Sequence, residues 1–221
     1  METNKSRSRK PTLRIWADDL TKEVDNIVEK LGREKVAITE DVLFLLIFKY
    51  LKASQSTVFR NVFHNMGKGD WAYYFAPDAD LLEFRPDGTV IGYELKGFQK
   101  VKDNYEPPGV YVGLDQALAY LRNPCIIDSC GSISCTRESI FDFVYLVHAT
   151  TDVNRFDESM CAVIDKCTPI GFMLVNYSKV WEVVRPKGNP FLNKNLKDRF
   201  LNNLIVLDTF KRFKLKLPIS L

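Results

Sequence analysis

The chain has no apolar run near the ~18 residues that a membrane helix needs, and its opening segment METNKSRSRK lacks the apolar core of a secretory leader. A membrane-bound or secreted product is therefore not expected. No CxxC pair occurs. The two histidines, His64 and His148, are too few to complete a zinc site of ordinary spacing with Cys125, Cys130, Cys135, Cys161 and Cys167. The same shortage removes Ser/His/Asp and Cys/His nucleophile arrangements, because His148 closes an apolar run, FDFVYLVHA, where a structural role is expected. Five cysteines without a leader point to reduced thiols, with a disulfide among Cys125, Cys130 and Cys135 left open. There is no internal repeat, low-complexity segment, helix-turn-helix or zinc finger, so base-specific reading of DNA is not indicated.

What is present is a globular composition. The 221 residues are 46% hydrophobic and 27% charged, enough for one domain with a sizeable core. The net charge of +3 is unevenly spread. Residues 1–10 carry a local +3, residues 187–221 carry +6, and the stretch between them carries −6. Basic ends flank an acidic centre, which suggests that some of the central carboxylates serve a cation.

Residues 1–12 read as a flexible basic tail. Helices are expected over 18–31 and 40–53, the second with Thr39 at its N-cap and a buried face of Val42, Leu45, Leu46 and Leu51. Strands are expected at 57–64, 71–75, 80–84 and 89–96, the last two forming a hairpin with Asp87-Gly88 at its tip. A helix over 111–121, an irregular stretch over 125–140, a strand over 141–149 and a helix over 153–166 follow. Strands at 170–177 and 179–184 and a basic amphipathic helix over 194–213 complete the chain. The order implies an α/β domain with helices packed on a central sheet.

The chemistry lies in Pro77-Asp78-Ala79-Asp80 and, across the hairpin, Glu94-Leu95-Lys96. Glu94 and Lys96 are two apart on a strand and share a face. A hairpin can bring Asp80 beside them. Two carboxylates and the Leu95 carbonyl suit a hard cation such as Mg²⁺ or Mn²⁺. Lys96 could orient or deprotonate a water, or neutralise charge developing on a phosphate.

This set resembles the signature of the PD-(D/E)XK nuclease superfamily. The resemblance covers roughly residues 39–149 and leaves 150–221 as a C-terminal elaboration. It implies a restriction-endonuclease-like mixed central sheet flanked by helices, and divalent-metal-dependent hydrolysis of DNA phosphodiesters. The ligand is Asp80, which has the family's usual spacing to Glu94, or alternatively Asp78, which follows Pro77 directly. Gln116-Ala-Leu-Ala-Tyr120 is similar to the Gln-x-x-x-Tyr helix motif of RecB-like members, whose side chains contact the phosphate backbone or the carboxylates behind the metal. Glu40 matches the acidic residue on the family's first core helix, which often completes the metal shell. RecB-like members with an iron–sulfur cluster have a cysteine before the nuclease motif, and here no cysteine precedes Cys125, so no cluster is expected. In size and makeup the chain is also similar to small nucleases of archaeal viruses, which implies the host cytoplasm.

Candidate phosphate contacts are Lys68, Lys100 and Lys102, with a further group from Lys187 to Lys216. Trp71, Tyr73 and Tyr74 either stack on unpaired bases or belong to the core. Cutting two strands calls for two sites, so a homodimer is expected. Phe200, Leu201, Leu204, Ile205, Leu207 and Phe210 would either form its interface or cover the chain's own core. The competing expectation is a non-catalytic DNA-binding protein that retains the fold.

Overall fold

The computed structural model describes residues 13–62, 72–74, 78–122, 125–127, 133–134, 138–154, 156–203, 212–215 and 217. The first elements are β1 (Leu13–Trp16), α1 (Ala17–Arg33), α2 (Glu40–Lys52), β2 (Thr57–Val62) and β3 (Ala72–Tyr74). Next come β4 (Ala79–Phe84), β5 (Val90–Lys96), β6 (Gln99–Val101), β7 (Asn104–Glu106) and α3 (Leu114–Tyr120). The chain continues through β8 (Cys125–Ile127), β9 (Ile133–Ser134), β10 (Phe143–Ala149) and α4 (Glu158–Cys167). It ends with β11 (Gly171–Val175), β12 (Val180–Val184), α5 (Lys194–Asn203) and β13 (Arg212–Leu215).

Hydrophobic spacing builds the first helical layer. Leu20, Val24, Ile27, Val28 and Leu31 recur at helical intervals along α1 and are all buried. α2 opens with Glu40 and Asp41 and closes with Lys49 and Lys52, each sign at the end the helix dipole favours. Its expected single buried face is too narrow, because Val42 through Phe48 are all buried between α1 and the sheet. Thr39 stands at the N-cap position, but its hydroxyl makes no capping bond.

The main sheet is mixed, with strand order β12-β11-β10-β5-β4-β2. β5, β10 and β11 run parallel to their neighbours in that run, and the β2/β4, β4/β5 and β11/β12 pairs are antiparallel. This is the expected α/β architecture of a mixed sheet flanked by helices. β11 and β12, from the C-terminal part, extend the same sheet. Strand alternation divides the core in two. Leu81, Ile91, Tyr93, Leu95, Tyr145 and Val147 face α1 and α2. Leu82, Phe84, Val90, Leu146, Phe172 and Leu174 face α3, α4 and α5. Among the described residues no helix is long and apolar enough to cross a membrane.

Four expectations need correction. The end of the helix proposed over 194–213 is a strand: α5 is described over Lys194–Asn203, and β13 pairs antiparallel with β1. The alternation Phe213-Lys-Leu215-Lys-Leu217 has the two-residue period of a strand, and Leu215 and Leu217 are buried in the α1/α2 core. β1 itself was not expected. The loop after β5 carries a further hairpin, β6–β7, and the stretch expected to be irregular holds β8 and β9. Residues 1–12, Lys68, Trp71, Cys130 and Cys135 lie outside the described residues, as do the side chains of Tyr73, Tyr74 and Cys125. Cys161 and Cys167 are free thiols. Phe200 stacks on Phe84 at 5.9 Å, and Leu196 is buried beside it, so the described part of α5 covers its own sheet.

One loop residue ties the C-terminal segment to the sheet. The amide of buried Asn189 donates to the carbonyls of Leu121 (3.2 Å) and Phe141 (3.0 Å), and its oxygen accepts from the Phe191 N–H at 3.0 Å. Asn189→Ala strands two carbonyls and an N–H and should cost about 2–4 kcal/mol, by the penalty for buried groups left without a partner. Urea unfolding monitored by tryptophan fluorescence measures it, and a loss below about 1 kcal/mol would mean that water replaces the amide.

Candidate active site

β4 and β5 pair with Leu81 opposite Tyr93 and Leu82 opposite Gly92, and the same register continued sets Asp80 opposite Glu94. On β5, Tyr93 and Leu95 face α2, which leaves Glu94 and Lys96 on the α3 face. Two carboxylates thus meet where neither can be well hydrated.

Their partners come from β5 and α3. The Asp80 carboxylate accepts from the Leu95 N–H at 2.8 Å. Glu94 is 1% exposed. Its Oε1 lies 2.5 Å from the Lys96 ammonium, and its Oε2 takes the hydroxyl of Tyr120. That hydroxyl also faces the Asp78 carbonyl at 2.7 Å, and its oxygen accepts the Asp80 N–H at 3.0 Å. The phenol of α3 therefore ties the start of β4 to the carboxylate of β5. Tyr120 reaches Glu94, and Gln116, one turn earlier, is half-buried and makes no hydrogen bond among the described residues.

The structure separates the two aspartates. Asp80 turns its side chain to Leu95 and Glu94, whereas Asp78 is exposed and contributes its carbonyl. Burial, reinforced by the charge of Glu94, pushes the Asp80 carboxyl up to about 7. Burial pulls the Lys96 ammonium down, but the hydrogen bond and charge of Glu94, with Asp80 and Glu40, outweigh it and raise its pKa. Lys96 is therefore a cation, suited to orienting a water or neutralising charge and not to deprotonating one. Burial also lifts the Tyr120 phenol well above its ordinary value, so it stays a neutral donor.

The N-terminus of α2 meets the end of β5 here. A Cβ on Gly97 would lie 2.2 Å from the Glu40 nitrogen, and the Phe98 N–H donates to the Ile38 carbonyl at 2.7 Å. This close approach brings exposed Glu40 near enough for its charge to act on Asp80 and Lys96. Gly113, before α3, has φ +84°, and a Cβ there would fall 2.5 Å from Lys96 Cε. The lysine stem occupies the space that this glycine leaves. Lys100 and Lys102 are exposed on the β6–β7 hairpin just beyond the site.

His148 and Gly113 were not singled out as parts of this neighbourhood. His148 stands beside Lys96 in the β10/β5 register, and its buried Nε2–H donates to the Val112 carbonyl at 2.8 Å. That bond holds the segment leading into α3. The only sequence signal for Gly113 is a glycine directly ahead of a helical run.

The donor set fits a hard divalent cation. Of the buried side-chain polar atoms without a hydrogen bond among the described residues, two of the three belong here: Glu94 Oε1, which has only its ion pair, and Thr39 Oγ1. No group of three or more His, Cys, Asp and Glu side chains forms a closed cage among the described residues. Asp80, Glu94 and the Leu95 carbonyl would hold such an ion on one side only. That suits Mg²⁺, which keeps several waters and takes one or two carboxylates plus substrate phosphate.

No family model and no curated protein matches the chain. Among solved structures it is similar to the SPO1766 protein of unknown function from Silicibacter pomeroyi, at 10% identity and a TM-score of 0.41, over 74% of this chain and 82% of that one.

Two outcomes follow from the site. Tyr120→Phe leaves the Asp80 N–H and Glu94 each short of a partner and should lower stability by about 1–3 kcal/mol in urea unfolding; no change would remove the phenol from its linking role. The second concerns pH. Burial lowers His148 to about 4 from 6.5, so its contribution is present above pH 6.5 and is lost as pH falls toward 4. Asp80, raised to about 7 from 3.8, acts oppositely, and its contribution grows as pH falls through the same window. Each is worth roughly 3–4 kcal/mol at 1.36 kcal/mol per pKa unit. Compared with wild type, His148→Gln should gain stability on acidification from pH 7 to 4, and Asp80→Asn should lose it. Parallel profiles for the two variants would contradict this assignment.

Proposed function

We propose that the chain is a divalent-metal-dependent DNA nuclease of PD-(D/E)XK type. The observation that carries the reading is the buried meeting of Asp80 and Glu94, their mutual repulsion only partly offset by Lys96. Carboxylates perturbed by burial together with a specific charge partner are a recurring feature of functional sites. The order α2, three strands of the β2/β4/β5 meander, α3, β10 runs as the family resemblance implies.

Asp80, Glu94 and the Leu95 carbonyl would hold Mg²⁺ or Mn²⁺, with Glu40 at the margin. When bound, the ion supplies the Lewis acidity that phosphodiester hydrolysis needs. The protein's own groups do the rest. Tyr120 fixes the Glu94 carboxylate through Oε2 and leaves Oε1 to the ion and to Lys96. Lys96, kept protonated and packed on Gly113, offers its ammonium to the attacking water or to charge developing on the phosphate. Gln116, half-buried and with no side-chain hydrogen bond among the described residues, would contact the substrate backbone. Lys100 and Lys102 supply exposed positive charge for neighbouring phosphates, and the basic ends of the chain add more.

The test is cleavage of labelled linear, flapped and four-way DNA with Mg²⁺ or Mn²⁺. Glu94→Gln and Lys96→Met should each lower cleavage by about 100-fold or more, as expected for removing one preorganised charge, with helical content unchanged. Equal trace cleavage by wild type and both variants would overturn the enzyme reading, and DNA binding without turnover would leave a non-catalytic binding protein.

A further inference from the structure

A cavity of about 800 Å³ opens at the C-terminal ends of the parallel strands β5, β10 and β11, on the α1/α2 side of the sheet, across the sheet edge from the candidate site. In open α/β sheets, ligands bind in the crevice beyond these strand ends. Its walls continue the site's own chain. Phe98 follows Lys96 by two residues, at most about 7 Å along the backbone, and Ile38 precedes Glu40 by two.

The lining has a particular chemistry. Phe98, Tyr105 and Tyr177 contribute three aromatic rings from three different segments. Tyr177 is fixed, because its hydroxyl donates to the Val36 carbonyl at 2.9 Å. Asn176 uses its oxygen on Ser178 and Lys179, with bonds of 2.8 to 3.0 Å, so its amide N–H groups are left for a ligand. Among the described residues, Lys35 is the charged residue in the wall, and no carboxylate lines the cavity. On the β6–β7 hairpin Lys100 pairs directly across from Tyr105, so the ammonium and the ring share one face of the ribbon. Aromatic rings for stacking, an amide donor for a base edge and ammonium groups for phosphates together make up a single-strand binding surface. A metal or an acidic peptide would call for carboxylates or for more positive charge, and the cavity is large enough for more than one base.

We infer that this cavity binds unpaired bases of the DNA strand whose phosphate lies at Asp80 and Glu94, which makes the preferred substrate DNA with a single-stranded segment. The inference rests on the nuclease reading for the position of that phosphate, and its own observation is the cavity.

The experiment measures binding, not cleavage. Fluorescence anisotropy with a 12-nucleotide single strand and its blunt duplex is recorded for the Glu94→Gln chain, and repeated with the wild-type chain in EDTA. Tyr105 is 46% exposed, so its replacement should leave the fold intact. Tyr105→Ala should weaken single-strand binding about tenfold, within the range for a lost base stack, and duplex binding by less than twofold. Tyr105→Phe should restore the affinity, since stacking needs only the ring. Lys100→Ala should weaken both probes and lower the salt dependence. Unchanged single-strand affinity in Tyr105→Ala, an equal loss on both probes, or tighter binding of RNA of the same sequence would overturn the inference. If wild type cuts no DNA and Tyr105→Ala still loses single-strand affinity selectively, the nuclease reading fails and the cavity assignment stands.

Discussion

Asp80 and Glu94 repel each other in a place with little water, and the local structure is arranged around that repulsion. The neighbouring elements supply the compensating groups. β5 gives the Leu95 N–H and the Lys96 ammonium, and α3 gives the Tyr120 hydroxyl. Gly113 makes room for the lysine stem, and Gly97 lets the start of α2 approach and bring Glu40. The compensation is incomplete, since Asp80 keeps a strongly raised pKa. A group that binds a cation has to remain in this state, because full internal satisfaction would leave nothing for the ion.

A second buried carboxylate on the same sheet shows the contrast. Glu83 accepts from Ser56 at 2.7 Å, from Arg85 at 3.0 Å and from Tyr93 at 2.5 Å, so both its oxygens are engaged. It faces the α1/α2 core, on the sheet face opposite Asp80 and Glu94, and stitches β4 to β5 and to the start of β2. The stacked rings of Tyr93 and Tyr145, 5.3 Å apart, extend that support to β10. One hairpin therefore carries a satisfied carboxylate that holds the sheet together and, at its other end, a pair whose charges are only partly compensated. Burial alone does not distinguish them; the number of donors does.

Much of this was legible in the sequence because it depends on short spacings. Alternation placed Glu94 and Lys96 on one face, Asp87-Gly88 marked the turn, and the four-residue step from Gln116 put Tyr120 on the same helix. What could not be read depends on distant partners. β1 pairs with β13 from the far end of the chain, and a four-residue strand has little local signal of its own. The Lys-Leu alternation after residue 212 carries a strand period, but it directly follows a segment whose pattern is that of a basic amphipathic helix. The choice between Asp78 and Asp80 turned on hairpin register, which spacing narrows without fixing. Gly113 and His148 matter through a loop that folds back on Lys96, a contact that no local pattern encodes.

The central claim is that Asp80 and Glu94 together form a divalent-cation site. Titration of Mn²⁺ into the full chain at pH 8, with the free ion followed by its electron paramagnetic resonance signal, tests it most directly. The account predicts saturable binding in the wild type and its loss in both Asp80→Asn and Glu94→Gln, with Asp78→Asn unchanged. Binding that survives in both of the first two variants, or no binding in the wild type, would contradict it.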